Sequence, residues 1–199
     1  MKNLIILLLG LFLVAACSVF SPIKTEPNTT YLINTVPQPI TKRTKHSLNL
    51  LVSQPEASPI YNTTDMAYTI QPYQIGYFVK SSWAEAPTQM LQPLIIRTLQ
   101  KTHYFHAVGS LSTIGRYSYI LNTQLIQLEQ DYSKMPHVLH FVLRAQIVNA
   151  YTNQVVASKE FSVNEPITRN DPYSGVAAEN RAAAIILNQL AQFCLRVIR

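Results

Sequence analysis

The sequence predicts an α+β domain, a mostly antiparallel sheet packed with two main helices, behind an N-terminal tether. Three observations predict it. Leu139, Phe141, Leu143, Ala145 and Ile147 alternate with His140, Val142, Arg144, Gln146 and Val148, the period of a strand with one buried face. Ala183, Ile186, Leu187, Leu190, Cys194 and Val197 recur at helical spacing, with Arg181, Asn188, Gln192, Arg196 and Arg199 opposite, the mark of an amphipathic helix. A second helical run, Leu91, Leu94, Ile95 and Leu99, precedes the strands. Two helices and such a sheet make an α+β architecture.

Residues 1–16 read as a signal peptide. Met1-Lys2-Asn3 is a positive start, Leu4 to Phe12 is apolar, and Val14-Ala15-Ala16 places small residues before Cys17, the order of a secretory leader. The run is shorter than the about 20 apolar residues of a membrane span. Val14-Ala15-Ala16-Cys17 resembles the bacterial lipobox. That resemblance implies diacylglycerol on the Cys17 sulfur, cleavage before Cys17 and acylation of the new amino terminus. Two or more acyl chains make stable membrane anchoring. Ser18 stands where an aspartate retains enterobacterial lipoproteins at the inner membrane, which by analogy points to the outer membrane and its periplasmic face.

Residues 17–46 read as a lipidated tether. Pro22, Pro27, Pro37 and Pro39 lie among Thr, Asn and Lys, a composition that favours extended chain. Some thirty extended residues reach at most about 100 Å. Tyr31-Leu32-Ile33 is a short apolar piece that suits an edge strand.

Residues 47–199 read as the folded domain. Leu48 to Val52 is a strand, broken by Gln54-Pro55-Glu56-Ala57-Ser58-Pro59. Strands over 64–70 and 73–79 follow, with Gln71-Pro72 in the turn. Ser82-Trp83-Ala84-Glu85 matches a capping box and opens a helix through about Lys101. Pro93 lies inside this helix, so it kinks there or begins later than the cap suggests. Tyr104 to Val108 leads into a short strand or loop stopped by Gly109. Tyr117 to Asp131 is a long strand whose apolar positions change phase: Tyr119 and Leu121 share one face, Ile126 and Leu128 the other. A β-bulge near Asn122 to Gln124 would reconcile them; the alternative is burial of both faces. Tyr151-Thr152-Asn153-Gln154 is a hairpin turn signal, and Val155, Ala157, Lys159, Phe161 and Val163 complete an antiparallel meander. Asn164 to Ser174 is a loop, and the last helix runs from about Val176 to Val197.

Composition narrows the function. Only 13% of residues are charged, against a usual quarter or so, and 11 tyrosines stand among polar uncharged neighbours. Tyrosine offers an apolar ring with a polar tip and is enriched at protein interfaces, so the surface suits protein contact. The net charge of +6 reads as a mildly basic solvated surface ahead of the alternative, a specific anionic-lipid patch. Nucleic-acid motifs are absent, and a secreted lipoprotein does not meet the genome. With Cys17 acylated, Cys194 has no cysteine to pair with and reads as a small buried hydrophobe.

Catalytic patterns are missing. The sequence has no G-x-S-x-G elbow, no glycine-rich phosphate loop among its five glycines, and no carboxylate pair spaced for acid–base work. His103 and His106, and His137 and His140, lack the partner ligands of a zinc site. Asn28-Thr29-Thr30 and Asn62-Thr63-Thr64 match a glycosylation acceptor pattern that a bacterial lipoprotein would not normally use. The residues thus describe a lipid-tethered binding or scaffolding domain, with no catalytic residue, cofactor or metal. Trp83, the single tryptophan, is expected to be a packing anchor at the helix start rather than a ligand stack.

Several landmarks carry a family resemblance: the lipobox, Tyr31-Leu32 soon after it, Ile75-Gly76-Tyr77-Phe78, and Trp83-Ala84 opening a helix. Leu91 and Leu99, Phe105-His106-Ala107-Val108 and Tyr119-Ile120-Leu121 follow. The chain resembles the ABC-type transport auxiliary lipoproteins found beside mammalian-cell-entry (MCE) domain lipid transporters. Pro93 and a longer N-terminal tail depart from the pattern. The resemblance implies an outer-membrane lipoprotein without ATPase residues of its own. It would dock onto a periplasmic MCE protein and, through it, an ABC permease and ATPase that move phospholipid or other lipophilic molecules between membranes. Docking as a ring of identical subunits is one arrangement this allows. The alternative function is a lipoprotein chaperone or plug of another outer-membrane assembly, such as lipopolysaccharide export.

Overall fold

A computed structural model describes residues 27–38 and 44–199. The signal peptide and Cys17 lie outside the described residues.

One mixed sheet is built around a long central strand. In chain order the strands are β1 (Thr29–Tyr31), β2 (Asn49–Val52), β3 (Glu56–Ala57), β4 (Asp65–Thr69), β5 (Gly76–Trp83), β6 (Ala107–Gly109), β7 (Tyr119–Asp131), β8 (Val138–Asn149) and β9 (Gln154–Pro166). The helices are α1 (Pro87–Gln100) and α2 (Pro172–Val197). β7, β8 and β9 form the expected antiparallel meander. Leu139, Phe141, Leu143, Ala145 and Ile147 of β8 are all fully buried, as their alternation requires.

The opposite edge of β7 is tiled in parallel by three short strands. β2 sets Leu50 to Val52 against Tyr119 to Leu121, β3 sets Glu56 and Ala57 against Gln124 and Leu125, and β4 sets Tyr68 and Thr69 against Gln130 and Asp131. Pro55 and Pro59 interrupt the run between β2 and β4, because proline cannot donate to the ladder. β3 falls inside the stretch expected to be a break. β5 continues the sheet antiparallel to β4, and β1 adds to β5 in parallel.

The bulge in β7 is real but lies further along than the pattern suggested. Pairing with β8 shifts between Leu125 and Gln127, leaving Ile126 as the extra residue. Leu121 and Leu125 before it, and Leu128 after it, all face the core. The phase change therefore falls at Ile126, because Thr123 is also buried and extends the first phase beyond Gln124.

The Ser82–Glu85 box does not start a helix. β5 runs through Trp83, and α1 begins at Pro87, where the fixed φ of proline suits a first helical residue. The Gln89 side chain accepts from the Ala86 N–H at 3.3 Å. Pro93 stays within α1 because it and Gln89, whose carbonyl it leaves unbonded, both face solvent. α2 begins four residues earlier than its apolar stripe suggested. Asp171 caps it, accepting from the Ser174 N–H at 2.7 Å, and Pro172 opens the first turn.

Both helices cover one side of the sheet, α1 on β2 and β6 and α2 on β8 and β9, and they touch each other. One continuous apolar core results, with Leu91, Leu94, Ile95 and Leu99 of α1 beside Ile186, Leu187 and Leu190 of α2. The other side of the sheet is mixed, with Val142 and Val148 of β8 beside His140, Arg144 and Gln146. Gln124, Arg144 and Glu160 form a row across three strands, with Arg144 3.0 Å from Glu160, a pair exposed enough to add little stability.

The folded body begins earlier than expected. Residues 29–38, read from the sequence as tether, lie against the domain, and Ile33 is 3% exposed. The reason is a strap that runs from β1 across the start of α1 and the side of α2.

Candidate functional site

Three features distinguish this domain from a plain core: the strap, a buried polar knot, and the loops at one end of the sheet. One side chain ties the strap to α2. Asn180 Oδ1 accepts from the Asn34 N–H at 3.0 Å, the Thr35 N–H at 3.2 Å and the Thr35 hydroxyl at 2.9 Å. Its Nδ2 donates to the Leu32 carbonyl at 3.0 Å and to the Val176 carbonyl at 3.1 Å. The Ala84 N–H donates to the Tyr31 carbonyl at 2.9 Å. Residues 146 positions apart are thus joined through one amide, which sequence periodicity cannot reveal.

Trp83 ends β5 rather than opening α1. It is 4% exposed within the main core, and its backbone N–H donates to the Thr64 carbonyl at 2.7 Å.

The polar knot joins the end of β7 to the first turns of α2. Gln130 and Glu179 are almost completely buried. Gln130 lies flat on the helix backbone because residue 175 is glycine: a Cβ there would stand 2.0 Å from Gln130 Cδ. The Tyr132 hydroxyl donates to Gln130 Oε1 at 2.7 Å and faces the Asp171 carbonyl at 3.3 Å. Burial pushes the Glu179 carboxyl up to about 8, against a smaller opposing effect of the Gln130 side chain. Glu179 is therefore protonated at neutral pH. Gln130 Nε2 and Glu179 Oε2 have no hydrogen-bond partner of good geometry, which costs desolvation free energy. Glu179 sits four residues before Ala183, on the same stripe as the apolar positions of α2. A carboxylate at a core position was the sequence signal that periodicity passed over.

At this same end, burial raises the Tyr132 hydroxyl above its ordinary range, aided by the charges of Glu179 and Asp171. The Tyr132 ring meets His137 at 4.9 Å and Phe78 at 6.5 Å, and Phe78 meets Tyr68 at 4.6 Å. The β4–β5 and β7–β8 loops flank an open groove of about 530 Å³.

The histidines are dispersed. His140 sits between Asn164, 2.8 Å from Nδ1, and Asp131, 3.4 Å from Nε2. Asp131 lies below the usual carboxylate range: burial opposes this, but hydrogen bonds from Ser133 and His140 outweigh it. His137 faces the Lys134 carbonyl, and His103 and His106 line a separate shallow groove. Among the described residues, no group of three or more His, Cys, Asp or Glu side chains is placed to hold a metal. Cys194 is fully buried, which pushes its thiol up to about 12. Such a thiol does not form thiolate at neutral pH. Among the described residues, no helix is long and apolar enough to cross a membrane.

Comparison with known proteins places this architecture. The family model described as the ABC-type transport auxiliary lipoprotein component matches residues 31–191. No curated protein matches the chain. The crystal structure of protein XCC0632 from Xanthomonas campestris superposes with a TM-score of 0.77 at 24% identity, covering 85% of this chain and 96% of that one. A crystal structure of an uncharacterized protein superposes with a TM-score of 0.69 at 14% identity, covering 84% of this chain and 98% of that one. At these identities the two structures establish the fold. The family match begins at Tyr31, so it includes the strap that Asn180 holds, and it ends within α2. The chain belongs to the ABC-type transport auxiliary lipoprotein component family.

Proposed function

We propose that this chain is a non-enzymatic outer-membrane lipoprotein of an intermembrane lipid transport system, which docks the system's periplasmic MCE protein to the outer membrane. The observation that carries the reading is the family match over residues 31–191, a transport auxiliary lipoprotein being a component that accompanies an ABC transporter. Cys17 carries the acyl chains, palmitate among them, and the domain faces the periplasm. The MCE protein is the direct partner, and the ABC permease and ATPase lie beyond it. The weakly charged, tyrosine-rich surface suits protein docking, and a ring of identical copies is one way to present it.

The test is fractionation with co-purification. The parent chain should partition with outer membrane and bring down the MCE protein encoded beside it. Cys17→Ser should accumulate as unprocessed precursor and leave the outer-membrane fraction. Retention of Cys17→Ser in outer membrane after a salt wash would overturn the anchoring. Failure of the parent to co-purify with the MCE protein, or reproducible ester hydrolysis by it, would overturn the docking role.

A further inference from the structure

The strap shortens the distance between anchor and domain, and it does so on a particular side. β1 runs parallel to β5, with Thr29 opposite Ser81. Backward from Thr29 the chain therefore heads toward Gly76 and the β4–β5 loop. Strands rise about 3.3 Å per residue, so Pro27 stands about 10 Å short of the level of Gly76. Only residues 18–26 separate Cys17 from Pro27, a reach of at most about 36 Å over ten Cα-to-Cα steps. That length lets an acyl anchor on Cys17 reach the end that carries the β4–β5 loop.

That end is apolar at its extremity. Tyr73 is fully exposed, Met135 is 79% exposed, and Ile70 and Tyr173 are each more than half exposed. They come from three separate elements: the β4–β5 loop, the β7–β8 loop and the first turn of α2. Contacts bring the three together. The two loops flank one groove, the Tyr132 N–H donates to the Thr69 carbonyl at 2.7 Å, and the Tyr132 hydroxyl reaches the Asp171 carbonyl. Tyr73 has φ 67°, a left-handed conformation rare and costly for an aromatic residue, and it holds the ring out in solvent. Two carboxylates at this end are engaged within the fold. Asp131 accepts from the Ser133 N–H at 2.8 Å, and Asp171 caps Ser174 and pairs with Arg169 at 3.1 Å.

We propose that this end, presented by Ile70, Tyr73, Met135 and Tyr173, seats in the headgroup layer of the phospholipid bilayer that carries the anchor. The inference rests on the lipidation of Cys17 proposed above. Amphipathic tyrosines and flexible apolar side chains suit the boundary between headgroups and acyl chains. Tethering raises the effective concentration of the loops at the surface, so they need little affinity of their own. The contact would orient the domain, with the opposite end, at the β8–β9 turn and Tyr151, directed away from the bilayer. Asn149 beside that turn pairs with Tyr119, at the far end of β7 from Asp131.

The acylated full chain tests this in vesicles of phosphatidylethanolamine and phosphatidylglycerol. The sequence has two cysteines; Cys17 is acylated and Cys194 is fully buried, so an introduced surface cysteine can be labelled alone. An environment-sensitive nitrobenzoxadiazole label is placed in turn by Tyr73→Cys, Met135→Cys and Tyr151→Cys. In vesicle-bound protein the first two should show blue-shifted, brighter emission and the third a water-like spectrum. Adding Ile70→Asp and Tyr73→Asp should leave flotation with vesicles unchanged but abolish the shift at position 135. Protein that does not float has no working anchor, and the lipidation reading fails. Protein that floats with position 73 or 135 as wet as position 151 overturns the seating alone. A shift that fades as copies are diluted among more vesicles identifies a second copy as the occupant and also overturns it.

Discussion

Replacing Glu179 with glutamine should stabilise the domain at neutral and alkaline pH and remove much of its pH sensitivity. Glu179 is fully buried beside the Gln130 side chain, and burial raises its carboxyl from an ordinary 4.5 to about 8 in the folded state. Below pH 4.5 both folded and unfolded chains hold the proton, and the group contributes no difference. Between 4.5 and about 8 the unfolded chain releases the proton while the folded chain keeps it, so stability falls as pH rises. One pH unit of such imbalance is worth about 1.4 kcal/mol, and the whole interval about 5 kcal/mol. Above about 8 the folded state also ionises and the loss levels off. Glutamine is nearly isosteric and does not ionise, and its carbonyl can accept from Gln130 Nε2, which lacks a partner. At pH 7 the substitution should therefore gain about 3 kcal/mol relative to the parent, with little change at pH 5. Urea unfolding of parent and Glu179→Gln between pH 5 and 9, on chains lacking residues 1–17, measures both curves. Equal slopes in that range would refute the buried, protonated state of Glu179.

Trp83→Ala removes a nearly buried ring from the core and should cost about 3–5 kcal/mol, read as a lowered urea midpoint; an unchanged midpoint would refute its role as a packing anchor. Asn180→Ala deletes the side chain that holds Leu32, Asn34 and Thr35. It should cost about 1–3 kcal/mol and, more tellingly, speed hydrogen exchange at Asn34 and Thr35 while the amides of β8 stay protected. Equal protection at both places in the variant would mean that Ile33 packing, not the amide, holds the strap.

Local patterns in the sequence determined much of this protein. The meander of β7, β8 and β9 and the apolar stripe of α2 are periodic, because a strand face repeats every second residue and a helix face every third or fourth. Position relative to neighbours in the chain is then enough to sort buried from exposed. The lipobox-like Val14-Ala15-Ala16-Cys17 is an equally local pattern. Ser82–Glu85 shows the limit of such signals: a sound capping pattern lost to strand pairing, since Trp83 gained a place in the core by extending β5. The bulge was legible as a phase change, but its site at Ile126 depended on which face Thr123 took in the packed sheet.

Only the tertiary structure decided what distant segments do to one another. The parallel tiling of β7 by β2, β3 and β4 leaves no trace in the sequence, because alternation marks the two faces of a strand and not which strand lies beside it. Gly175 matters only because Gln130, 45 positions earlier in the chain, lies against it. Asn180 reads as an ordinary polar helix residue until the strap crosses it. That crossing places residues 29–38, which composition assigns to a tether, against the folded domain. A hydrogen bond between groups far apart in sequence follows from where the folded backbone brings them, and composition and spacing along the chain carry no record of that.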